Sequence, residues 1–139
     1  MRRTLIALTA AATLSGCTSE PPATPRGALS SALLADEWDR KLDAATQTPH
    51  PCGPTTARTT DCADWLTAQT DVVSALGAAL RAREDSRRYS STLAGVVKVF
   101  QSREAFEECG TDEECWRHAQ QITAGTQAVR TTLGADESR

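Results

Sequence analysis

From Leu34 onward the apolar residues recur every three or four positions, the spacing that gathers them on one face of an α-helix. Leu34, Trp38 and Leu42 form the first stripe and predict a helix over about Ser31 to Ala45. Pro49, Pro51, Gly53 and Pro54 then forbid regular structure, so residues 46–60 read as a loop. A second stripe predicts a helix starting near Asp61; its members are Cys62, Trp65, Leu66, Gln69, Val72, Val73, Leu76 and Leu80. Asp61 and Asp64 at its start, and Arg81 and Arg83 at its end, suit the helix dipole.

No glycine or proline separates Leu80 from Leu93. Yet Tyr89, Leu93, Val96, Val97 and Phe100 share a face that, at about 100° per residue, lies nearly opposite the Val72–Leu80 stripe. One straight helix would have to bury two opposed faces. A turn near Asp85 and Ser86 removes the conflict and predicts a third helix over about Arg87 to Glu108. Gly110 then serves as a helix stop, and Thr111 with Glu114 forms a capping box for a fourth helix. Its stripe is Cys115, Ala119, Ile122, Thr126, Val129 and Leu133. The pattern fades at Gly134, which predicts a loose tail over 135–139. Four helices joined by mostly short turns predict an all-α fold, a small up-and-down bundle over residues 30–134.

The stretch before the bundle is of another kind. Arg2 and Arg3 precede about ten mostly apolar residues, Leu5 to Leu14, a length typical of a signal peptide. That run is shorter than the roughly 20 residues a membrane-spanning helix needs. Leu14-Ser15-Gly16-Cys17 follows, and this order of parts resembles the lipobox of bacterial lipoprotein precursors. The resemblance covers residues 1–17 alone. It implies removal of residues 1–16 and acylation of the Cys17 thiol with fatty chains such as palmitate. The protein would then be held on the extracytoplasmic face of the cell membrane, with each buried CH₂ contributing about 0.8 kcal/mol. Residues 17–29, with Pro21, Pro22, Pro25 and Gly27, read as the linker that holds the domain off the lipid.

Composition narrows the function classes. Taking Arg2 and Arg3 from the 15 basic residues leaves 13 against 18 acidic ones, a net charge of −5 that argues against nucleic-acid binding. Aromatic residues make up only 4% of the chain, so the core must be built from Leu, Val and Ala. Beyond Cys17 four cysteines remain, Cys52, Cys62, Cys109 and Cys115, an even number that reads as two disulfides in an exported chain. Four cysteines allow three pairings; the local one, Cys52–Cys62 with Cys109–Cys115, is preferred.

An up-and-down order places all four cysteines at one pole and the tether at the other. The cysteine pole is acidic, through Asp61, Asp64, Glu104, Glu107, Glu108, Asp112, Glu113 and Glu114. The opposite pole collects Arg81, Arg83, Arg87, Arg88 and Arg130, which anionic lipid headgroups would attract. The third helix carries its arginines at its start and its glutamates at its end, against the dipole, at about 0.3–1 kcal/mol per charge. Local helix stability does not account for that order.

Catalytic signatures are lacking: the sequence has no nucleophile elbow, phosphate-binding loop or His-Glu-x-x-His pattern. No calcium-loop or zinc-finger spacing occurs either, and oxidised cysteines are not thiolate ligands, so no cofactor or metal is expected. His50 and His118 fall near the acidic pole, and Trp65 and Trp116 each sit near a cysteine at a helix start. These tryptophans are expected to pack over the disulfides, or else to form an aromatic patch that grips a partner. The resulting expectation is a non-enzymatic, membrane-anchored lipoprotein whose acidic, disulfide-stapled pole meets a protein partner. A small-ligand or metal binder, and a structural envelope or exclusion factor, are the two alternatives.

Overall fold

The computed structural model describes residues 26–47 and 50–139, with side chains described from residue 34. The lipobox, Cys17 and most of the linker lie outside those residues. Four helices follow in order: α1 Arg26–Thr46, α2 Thr60–Arg81, α3 Ser90–Glu108 and α4 Asp112–Glu137, with a 3-10 turn at Ser86–Tyr89 before α3. No strand occurs among the described residues. Helix α1 begins at Arg26, inside the stretch read as linker. Pro25 is the last proline before it, and nothing beyond that residue but Gly27 opposes helix.

The bundle is antiparallel. Arg130 on α4 reaches Asp39 and Asp43 on α1, while α2 and α3 meet where Arg103 donates to Thr67 Oγ1 at 3.1 Å. The break between α2 and α3 is a tight corner. Ala82 N–H closes α2 on Ala78, Ser86 N–H donates to Arg83 O at 3.2 Å, and Arg88 N–H to Asp85 O at 2.9 Å. The turn thus falls where the change of stripe requires it, although regular α-helix resumes only at Ser90.

The predicted stripes of α1, α2 and α4 face the core, with Leu34 and Val72 only partly buried. Trp38 and Leu42, then Cys62, Trp65, Leu66, Val73, Leu76 and Leu80, then Ala119, Ile122, Val129 and Leu133 are all in the core. Helix α3 differs. It buries Thr92, Val96, Val99 and Phe106, and leaves Val97 48% and Phe100 39% exposed. Close helix packing is the reason. A Cβ on Gly125 of α4 would lie 2.8 Å from Val99 Cγ2, and one on Gly95 of α3 would lie 3.0 Å from Val129 Cγ2. These glycines let α3 and α4 approach closely, and the approach turns the Gly95–Val99 side of α3 inward. A larger apolar stripe cannot outweigh that fit, because dispersion contacts fall off steeply with even a small gap.

The expected loose tail is also corrected. Helix α4 continues through Glu137, and Asp136 is fully buried. Its Oδ2 accepts from Thr92 N–H at 3.0 Å and from Thr92 Oγ1 at 2.8 Å, in the first turn of α3. In exchange Arg88 donates to the carbonyls of Asp136, at 2.9 Å, and of Glu137. Each helix end therefore supplies the charge the other end needs. The arginine at the start of α3 opposes its own dipole because it serves that of α4.

The disulfide pole as candidate functional site

Pro51 and Pro54 deprive the 50–59 loop of two backbone donors, and threonines organise it. Thr56 Oγ1 donates to Pro51 O at 2.9 Å and Thr59 Oγ1 to Thr56 O at 2.8 Å. Thr56 N–H closes a turn on Gly53 O at 3.1 Å. Ala57, with no exposed surface, plugs the loop into the bundle, and the Cys52–Cys62 disulfide ties it to the first turn of α2, with Cα atoms 4.8 Å apart. Thr59 then caps α2, its side chain accepting from Cys62 N–H at 3.4 Å.

The second disulfide, Cys109–Cys115, spans the turn between α3 and α4 with Cα atoms 5.3 Å apart. Thr111 caps α4 by accepting from Glu114 N–H at 3.3 Å. Glu114 reaches back as expected of a capping box, but to Gly110 N–H, at 3.2 Å, one residue before the cap. Both bridges therefore follow the local pairing, and all four cysteines share one pole.

Two arginines bind the halves of this pole together. Arg103 of α3 stands over Phe106, 5.5 Å from its ring centroid, and donates to Glu107 at 3.0 Å and across the bundle to Thr67. Arg58 of the loop donates to Gly110 O at 3.4 Å. Neither arginine stood out in the sequence. Arg103 continues the i, i+3, i+7, i+10 series Val96, Val99, Arg103, Phe106, a signal that is readable only once the inner face of α3 is known. Arg58 carried no signal.

Between them lies a cavity of about 330 Å³, lined by Ala57, Ala63, Phe106 and the Cys109–Cys115 disulfide, with Arg58, Arg103 and Glu107 at its rim. At the same pole, exposed His50 lies against Trp65, with ring centroids 4.2 Å apart, and edge-on to Trp116 at 5.7 Å. Trp65 is core, as expected; Trp116 is half-buried. His118 pairs instead with Gln121, at 3.1 Å. Among the described residues no group of three or more His, Cys, Asp and Glu side chains is placed to hold a metal ion.

The arginines expected at the opposite pole are mostly engaged within the bundle. Arg83 pairs with Asp85 at 2.8 Å, and this bond holds the Asp85 carboxyl below its ordinary range. Arg88 serves α4. Arg130 sits back from the pole in the α1–α4 groove, where its bond to Asp39 lowers that carboxyl as well. Arg81 and Arg87 remain exposed.

No family model, curated protein or solved structure matches the chain. Among the described residues no helix is long and apolar enough to cross a membrane.

Proposed function

We propose that this protein is a lipid-anchored, extracytoplasmic helical bundle that meets a protein partner through its disulfide pole. Acylated Cys17 holds it to the membrane, and the linker leads into the start of α1, at the end of the bundle away from both disulfides. The observation that carries the reading is the placement of two disulfides, an ordered threonine-rich loop and the His50–Trp65–Trp116 cluster at this one end. Staples add most where a surface must keep its shape without a large core beneath it, and a preordered surface loses less entropy on binding. Aromatic side chains beside exposed carboxylates also suit the recognition of a basic protein surface.

The test is photocrosslinking in intact cells. A crosslinker at Trp116 or Glu113 should give a discrete heavier adduct, and one at Arg81 should give none. Adducts from Arg81 alone, or from no position, would contradict the reading.

A further inference from the structure

The cavity beneath Arg58 joins a positive rim to an apolar floor, and its surroundings limit what it accepts. Phe106 is 8% exposed, while Ala57 and Cys115 are at most 1%; together they form a floor that solvates poorly. Arg103 is already matched by Glu107. Arg58 is exposed, and among the described residues no carboxylate lies within ion-pairing distance of it. Among the described residues its one bond is to the Gly110 carbonyl, which leaves most of the guanidinium fork open.

One unmatched positive charge over an apolar pocket suits one negative charge carried on an apolar group. A bidentate arginine–carboxylate pair has that geometry. Asp61, Asp64, Glu108 and Glu113, all exposed at this pole, disfavour a ligand with several negative charges, such as a phosphate or an acidic segment. The cavity is too small for a folded element and has room for about one or two side chains.

We infer that this cavity binds the C-terminal carboxylate of a polypeptide that ends in an apolar residue, with the carboxylate on Arg58 and the last side chain over Phe106 and the Cys109–Cys115 disulfide. The inference rests on the partner-binding role of this pole and names the chemistry of the partner's contact. Capture of a free chain end is a recurring mode of peptide recognition, and an arginine fork matches a carboxylate bidentately.

The oxidised, acylated protein in mild detergent would be titrated, by nuclear magnetic resonance, with N-acetyl-Ala-Leu-Leu, with the same peptide as its C-terminal amide, with octanoate and with inorganic phosphate. The free-acid peptide should shift the resonances of Phe106, Ala57 and Gly110. Amidation, or the Arg58→Gln substitution, should weaken binding about tenfold, and Arg58→Lys should weaken it less, because the charge stays and the fork is lost. Unchanged helical circular dichroism keeps loss of fold from imitating loss of binding. Equal binding of acid and amide would overturn the inference, as would tighter binding of octanoate or phosphate than of the peptide. So would a partner crosslinked at Trp116 that neither the peptide nor Arg58→Gln displaces, although the pole would then keep its partner-binding role. Peptide binding at Phe106 with no adduct in cells would instead support the cavity and contradict the cellular role.

Discussion

Thr92, near the start of α3, gives both its backbone N–H and its hydroxyl to a single carboxylate oxygen of Asp136, 44 residues further along the chain. The contact makes a residue of α4 the cap of α3. Removing it leaves two buried donors unmatched. Asp136→Ala should therefore cost about 2 kcal/mol, the sum of a lost cap and a stranded polar group. Asp136→Asn, which keeps an acceptor, should cost less. Deleting residues 135–139 should lower the melting temperature by at least as much as Asp136→Ala. Thermal unfolding followed by circular dichroism measures all three.

Glycines on α4 should respond in opposite ways. Gly125 faces Val99, a stiff β-branched side chain with little room to yield. Gly125→Ala should lose about 1–2 kcal/mol to overpacking despite the better helix propensity of alanine. Nothing lies within 4 Å of a Cβ on Gly134, so Gly134→Ala should gain about 0.5–1 kcal/mol. Urea denaturation of the pair checks both signs.

Glu137 sets a pH dependence at the same end of the bundle. Burial pushes its carboxyl above the ordinary glutamate range, although Arg88 and Arg83 pull it down. The folded state thus holds a proton that the unfolded chain releases. Its contribution to stability is full below the ordinary glutamate pKa and is lost as pH rises through the folded value. Asp39 and Asp85, lowered by their arginines, act in the reverse sense and lose their contribution as pH falls. Glu137→Gln should accordingly raise the melting temperature at pH 7 and leave it nearly unchanged at pH 4.

The two bridges should open in order. Cys52 and Cys62 are buried, whereas Cys109 is half-buried and lines an open cavity. Graded reduction with a phosphine should release Cys109–Cys115 first, as read by peptide mapping of alkylated thiols. Each bridge should contribute about 2–3 kcal/mol through the loop it closes. Losing Cys52–Cys62 should free the loop around Ala57 and leave the α3–α4 pairing intact, which amide hydrogen exchange would resolve.

These contacts also mark how far periodicity carries. The stripe Cys115–Leu133 was legible because α4 buries one regular face, and the corner at Asp85–Ser86 because two stripes were out of phase. The inward face of α3 is legible only in part: Tyr89 and Val96 are buried as their stripe predicts, whereas Val97 and Phe100 are exposed. Phe100 is larger than Val99 and Val97 is its equal, and it is the close approach of Gly125 that makes Val99 the better contact. The ordered tail escapes periodicity for a related reason. Asp136 looks like a surface residue until Thr92 stands opposite, and no local pattern encodes a cap supplied by a distant helix. At the disulfide pole the cysteines are legible by their even number, and Trp65 and Trp116 because each lies near a cysteine at a helix start. Arg58 did not, since its cavity exists only after loop, α2 and α3 are assembled.

Every proposed role of the disulfide pole depends on where the chain resides and how it is attached. Intact mass and non-reducing peptide mapping of the protein from its producing cells address that most directly. The predicted product partitions with membranes, begins at a diacylated Cys17, and carries Cys52 bridged to Cys62 and Cys109 to Cys115. A soluble cytoplasmic product that keeps residues 1–16 and has every thiol free would contradict it.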